Sequence, residues 1–402
     1  MTRRSRWALL SGALVILSAS VYGSGLAEPA QAIGTADIHN QAVTLLERGW
    51  RDAEARPLPL FVHIDAERWL APVPVYATAA VIRLAPTMSE PARRVAVAFG
   101  AMNVLLIFLL VSGSTSSAVV GLAAALALLV TPSHVQFSRT AATEGIWSLP
   151  FVLGWALGLT ALAEQPSRRA RWRLAAGTAA LAASAYTQPS AALMMPMLAG
   201  VTAVMFLHSG QWRWRDGIPA AATFVVVLLP IALWYLRFPA TYPDTFGRWV
   251  LHPAHLRNPI AWLGALSNWG SLSSAAALFW GFLSPSHLFL TPDAPGRCGV
   301  FLTPLVLPMV AGLYESTRSL PPNDAAARIR PAVVTSFLIG PLAAALFGHA
   351  RSVDRALIVV PFGLVIAAWG ALALWQRGDR VGRGLVIVCA IAAGFQAYFC
   401  LA

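Results

Sequence analysis

The sequence predicts an all-α polytopic membrane protein of about eleven transmembrane helices, and three observations predict it. Of its 402 residues, 57% are hydrophobic and 11% charged, against about 25% charged in soluble domains. Mean hydropathy is +0.64. The chain also divides into apolar runs close to the roughly 20 residues that cross a hydrocarbon core of about 30 Å.

In order, the runs predict spans near 7–25, 95–112, 117–132, 145–163, 172–188, 191–207, 218–236, 300–315, 332–348, 355–375 and 383–401. A further apolar stretch, 272–290, reads as a re-entrant or surface helix, because a full crossing there breaks the parity of the charge pattern. Arg3, Arg4 and Arg6 precede the first span, and cytoplasmic ends carry the excess of positive charge. An even number of crossings brings Arg168, Arg169, Arg171 and Arg173 back to that side. Arg213 and Arg215, Arg318, Arg328 and Arg330, and Arg377, Arg380 and Arg383 follow them. The expectation is a cytoplasmic N-terminus and an outer C-terminus. The first run is longer than the apolar core of a signal peptide, despite "AQA" at 30–32, so it reads as a retained span.

The net charge of +12 comes from arginine alone, since the chain has no lysine. Short-loop topology signals and base composition account for it, and no nucleic-acid partner is expected. Cys298, Cys389 and Cys400 show no CxxC spacing, and two of them lie in a terminal apolar run. Neither a disulfide nor a zinc framework is expected from them. No GxGxxG, P-loop, HExxH or GxSxG pattern occurs, which removes the soluble nucleotide, zinc-protease and hydrolase classes. We expect one membrane domain over 1–402, with no C-terminal soluble domain.

This topology leaves two long outer loops, about 26–93 and 237–299. The first holds eight of the seventeen acidic residues. Within it, "ADIHNQAVTLLERGW" places Ile38, Ala42, Leu45 and Leu46 at helical spacing, as in an amphipathic helix lying on the membrane surface. Asp37 then stands at the helix start, near its positive dipole end. "ERWLAPVPVYATAAVIRLAP" predicts a second surface helix, with Pro72 and Pro74 excluding regular helix until about Val75.

Asp37, a carboxylate at the membrane–water boundary beside an apolar surface, suits a general base; the ordinary alternative is an acid that stabilises the dipole or faces water. In "TPSHVQFSRTAATEG" (131–145), Arg139 and Glu144 flank long apolar runs. They are functional candidates, or else a snorkelling arginine and a helix cap. "FGHARSVDRALIVVPFG" (347–363) puts His349, Arg351 and Arg355 on the outer side, against the orientation rule. Planar bidentate contacts to a phosphate explain that placement, as does a tolerated interfacial pair offset by Asp354. "SPSHLFLTPDAPGRCGVF" (284–301) is a loop in which His287, Asp293 and Arg297 line a site or are solvated. Trp249, Trp262, Trp269 and Trp280 suit an interfacial belt or a sugar-stacking surface.

In sequence order these pieces resemble the integral-membrane glycosyltransferases of the GT-C class, nearest the branch with protein O-mannosyltransferases and the lipid A aminoarabinose transferase. The matching features are an acid after the first span (Asp37), Trp69, Pro72 and Tyr76 before the second, Ser138–Arg139 with Glu144 five positions on, the 284–297 loop, and "R….VPFG" at 355–363. The resemblance runs from about residue 10 to the end. It implies transfer of a sugar from a polyprenyl-phosphate carrier to a lipid, glycan or protein acceptor, with inversion, on the outer face of a bacterial cytoplasmic membrane. Asp37 takes the role of catalytic base, and Arg139, Arg355, Glu144, His39 and Arg297 stand near the carrier phosphate. The family's second acid is missing, because Ile38 and then His39 follow Asp37. Neither a cofactor nor a metal is expected beyond the lipid-linked donor. The competing readings are a lipid or polysaccharide transporter, which usually places ionisable groups near the bilayer midplane, and an inactive carrier-binding subunit.

Overall fold

The structure is a computed structural model that describes residues 3–24, 26, 33–52, 54–63, 69–141, 145–238, 269–290, 298–318, 325–346 and 356–401. Helices follow the apolar runs. They are α1 (Arg3–Gly23), α2 (Ile33–Glu47), α3 (Pro72–Leu84), α4 (Pro91–Thr115), α5 (Ala118–Val130), α6 (Pro132–Arg139), α7 (Gly145–Leu159) and α8 (Arg168–Ser184). After them come α9 (Pro189–His208), α10 (Ile218–Arg237), α11 (Trp269–Leu283), α12 (Val306–Thr317), α13 (Ala325–Leu346), α14 (Val359–Gln376) and α15 (Arg380–Leu401).

Every expected span coincides with a helix, but eleven crossings are not established. Among the described residues seven helices are long and apolar enough to cross a membrane, or eight when the bent pair α5–α6 counts as one span. That bend departs from the single 117–132 span read from sequence. Thr131 is extended (φ −68, ψ 119) and Pro132 opens a new helix 63° away. Proline disfavours helix in the residue before it yet suits a first helical position, so one residue ends α5 and starts α6. The 272–290 stretch is not one helix either. After α11 the chain makes a π-turn at Ser286–Leu290, and Phe301 N donates to Leu288 O (2.7 Å) on its way back.

Both helices expected in the 26–93 segment are present, with two corrections. Pro72 and Pro74 lie inside the first turn of α3, where N–H groups have no intrahelical acceptor and their loss is tolerated. Asp37 is the fifth residue of α2, whose first turn contains no acid, so it lies beyond the N-terminal dipole's short reach. Ala42 and Leu45 of α2 pack on Val75 and Ala79 of α3, with Leu46 and Tyr76 beside them. A two-residue ribbon, β1 (Val62–His63) and β2 (Trp69–Leu70), pairs Val62 with Leu70 and His63 with Trp69. Asp52, 2% exposed, accepts hydrogen bonds from Glu54 N, Arg56 N and Arg56 Nε. Burial, with the Asp52 charge adding to it, pushes the Tyr76 phenol above its usual range, so the hydroxyl stays protonated and donates to Pro59 O (3.1 Å). Phe61 packs with Trp234 and Phe238, which fastens this segment to the end of α10.

Lipid tails are as apolar as leucine, so membrane helices associate through close packing of small residues rather than through burial. Here α7 crosses α8 at Gly158 and Gly177, and α12 crosses α14 at Gly312 and Gly370. A Cβ on any of the four would overlap the partner's backbone. The arginine-rich helix ends gather at one end of the bundle. Arg173 pairs with Glu164 and Arg171 with Asp216 (3.6 Å). Glu315 meets Arg318 (3.2 Å) and Arg377 (4.0 Å), while its carbonyl accepts from Arg330 Nη1. Residues 160–163 pack on α13, which joins these groups on one side.

The expectation that the cysteines stay unpaired is corrected. Cys298 and Cys400 form a disulfide across 102 residues, with Cα atoms 6.1 Å apart, and Cys389 is free and buried. A cysteine inside an apolar run gave no sign of pairing, but the end of α15 lies beside the 298–303 segment, where Thr303 N donates to Gln396 Oε1 (2.8 Å). We expect thiol alkylation of the unfolded protein, read by intact mass, to add two more labels after reduction than before. Equal labelling without reductant would contradict the pairing.

Candidate active site

The end of the bundle opposite the arginine-rich loops holds the candidate residues that the structure describes. Asp37 and His39 are half-buried on α2, which packs on α3 and α4. Ile38 between them is 3% exposed and belongs to the main core. The missing second acid now has a physical reading, because position 38 faces apolar neighbours and an acid there would be buried.

Arg139 ends α6. Its Nη2 donates to Val21 O (2.8 Å) and Ser24 Oγ (2.9 Å), so the guanidinium sits on the C-terminal turn of α1, where a cation complements the dipole. Nη1 makes no hydrogen bond to a described residue. Arg139 therefore neither snorkels outward nor hangs free; it braces one helix end, and its Nη1 edge has no partner among the described residues.

Behind it runs a buried polar row. Tyr22 Oη lies 2.9 Å from His134 Nδ1, and Asn103 Nδ2 lies 3.4 Å from His134 Nε2, all three residues being fully buried. Gly100 makes room for this row, since a Cβ there would meet Ser138 and Tyr22. Arg93, 6% exposed, donates from Nε to Arg139 O (2.9 Å) and from Nη1 to Leu26 O (3.0 Å). None of these four was singled out from sequence. A signal existed for Asn103, a polar residue inside the 95–112 apolar run, because such residues are rare in membranes and cluster at function.

His287 is buried in the π-turn, its ring edge-on to Phe282 (5.6 Å). Ser133 Oγ donates to Val300 O (3.2 Å), which ties this turn's return strand to α6. Glu144, Arg297 and Arg355 lie outside the described residues, as do Asp293, His349, Arg351 and Asp354. Ala356 packs with Phe282, Ala344 and Ala345, so the segment following Arg355 is near the π-turn. Trp280 is exposed, as a belt residue would be; Trp249 and Trp262 lie outside the described residues, as does the Trp269 side chain. Among the described residues no three His, Cys, Asp or Glu side chains gather as a metal-binding group.

By sequence the chain matches no protein-family model and no curated protein. By structure it is similar to ArnT from Cupriavidus metallidurans bound to undecaprenyl phosphate (TM-score 0.58, 16% identity), covering 96% of this chain and 64% of that one. It is also similar to the archaeal oligosaccharyltransferase AglB from Archaeoglobus fulgidus in complex with an inhibitory peptide and a dolichol-phosphate (TM-score 0.60, 12% identity), covering 97% of this chain and 55% of that one. Both are GT-C glycosyltransferases. The fold is the GT-C membrane fold. The chain is thus a multi-pass membrane protein with the helical body of that class, spanning under two thirds of the length of these solved chains.

Proposed function

We propose that this chain moves a sugar from a polyprenyl-phosphate carrier to an acceptor on the outer face of a bacterial cytoplasmic membrane. The observation that carries the reading is the GT-C fold together with its two solved relatives, one bound to undecaprenyl phosphate and the other to dolichol-phosphate. In the reaction, the Asp37 carboxylate takes the proton of the acceptor hydroxyl. That oxygen's lone pair attacks the anomeric carbon, the bond from this carbon to the phosphate oxygen breaks, and polyprenyl phosphate leaves with inversion at the sugar. Arg139 offers its Nη1 edge to a phosphate oxygen, and charge-assisted contacts of this kind are the strong ones. Arg355 and Arg297 add positive charge around the same group, with Glu144 and His39 holding neighbouring positions. The Cys298–Cys400 disulfide at this end supports an outer placement, because disulfides persist in oxidising compartments. The acceptor is a lipid, a glycan or a protein.

The test is transfer in membranes from a strain lacking the gene, supplied with a panel of labelled polyprenyl-phosphate sugars, with and without the protein restored. Protein-dependent label in envelope glycan, lipid or protein is expected from one donor. Movement of donor across the bilayer with no transfer from any donor would instead favour a transporter.

A further inference from the structure

We infer that Arg93 is a positioning residue that sets the spacing between Arg139 and the helix carrying Asp37; this rests on the proposed function for its catalytic meaning, but not for its geometry. Arg93 is the third residue of α4 and is almost wholly buried, while its neighbour Arg94 is exposed and among the described residues its side chain bonds to Ser89. A buried guanidinium at a membrane helix end requires partners, and two of those it has are main-chain carbonyls from distant segments. One is Arg139 O, a carbonyl left without a helical partner at the end of α6. The other is Leu26 O, on the connection that leaves α1 toward α2.

The two arginines interlock. Arg93 grips the main chain of Arg139, and the Arg139 side chain grips Val21 and Ser24 of α1. Arg93 then reaches Leu26, two residues past Ser24. Val21, Ser24 and Leu26 are held by the two guanidiniums, one working from α4 and the other from α6. Because α2 packs on α4, the same clamp sets how far the helix carrying Asp37 stands from Arg139. A guanidinium suits the task because its donors form a rigid fork able to reach two carbonyls in fixed relative positions.

The test measures that spacing directly. Spin labels at Asn40→Cys on α2 and Gln136→Cys on α6, in a Cys389→Ala background with the disulfide intact, report the α2–α6 distance in lipid nanodiscs. With Arg93 present, one narrow distance peak is expected. Arg93→Lys keeps the charge but widens the peak about twofold or more, because a point-like ammonium cannot serve both carbonyls. Arg93→Gln widens it further. In the unlabelled protein, kcat for sugar transfer falls on the order of 100-fold in Arg93→Gln, the scale of a roughly 1 Å misplacement, with the donor KM nearly unchanged. A purely structural role would lower thermal stability without this widening and without a kcat-specific loss. Should Arg93→Gln fail to fold, the Arg93→Lys distance decides. An unchanged peak in a folded Arg93→Lys protein overturns the inference. A widened peak in a protein that transfers no sugar even with Arg93 intact leaves the positioning standing and rejects the proposed function.

Discussion

Replacing Asp37 with Asn is expected to lower sugar transfer by about 10²–10⁴-fold, the usual contribution of a positioned general base, while leaving the fold and carrier binding in place. The side chains are nearly isosteric, and Asp37 is half-buried at the edge of a helix whose hold on the protein comes from Ile38, Ala42 and Leu45. Thermal stability in detergent should therefore change little, which separates lost chemistry from lost structure. Binding of labelled undecaprenyl phosphate should persist in Asp37→Asn, because the carboxylate acts on the acceptor. Transfer at the native rate would reject Asp37 as the base. The companion change Ile38→Glu, which supplies the second acid that the sequence resemblance implies, should not raise activity. Position 38 lies in an apolar cluster, and an ionised carboxylate buried there without a partner costs several kcal/mol.

The second large effect is at a helix crossing. Gly370→Leu is expected to abolish recovery of a monodisperse protein, whereas Gly394→Leu leaves it unchanged. A Cβ at Gly370 would overlap the carbonyl of Pro308 and approach the amide of Gly312, and a Cβ at Gly312 would overlap the carbonyl of Ile366. Overpacking a side-chain core costs about 1–3 kcal/mol. Here the obstacle is backbone, which has no rotamer to change, so α12 and α14 must move apart along the crossing. Gly394 on α15 has open space around its Cβ position, and substitutions at such sites stay within about 0.5 kcal/mol. Size-exclusion profiles and thermal melts of the two variants, side by side, make the comparison. A well-folded Gly370→Leu protein would show that the crossing tolerates separation.

Much of the fold was legible because hydrophobic run length carries it. Each expected span has a helix, and Ile38, Ala42 and Leu45 turned inward as their spacing required. Proline was read less well, since its effect depends on position. Pro72 and Pro74 sit harmlessly in a first turn, while Pro132 redirects the chain. Of the candidate residues read from the sequence, Asp37, His39 and Arg139 are described at one end of the bundle, but how they are supported there was not legible. Arg139 and Arg93 bind main-chain carbonyls, and every residue has one, so no pattern in the sequence marks which will be chosen. The Cys298–Cys400 pair was hidden for a related reason: its two halves meet only after the last helix has packed.

That pairing also orders the protein's maturation in time. The 298 segment emerges from the ribosome 102 residues before its partner, a delay of about 5–20 s at ordinary synthesis rates of 5–20 residues per second. During that interval the π-turn and the 298–303 segment are held by Ser133 of α6, by their own turn, and by Phe289 and Phe301 packed in the core. Helix α15 can arrive late without leaving a hole, since only 17% of its apolar stretch is buried. Its insertion delivers Gln396 and Cys400 together, and so locks the far end of the molecule.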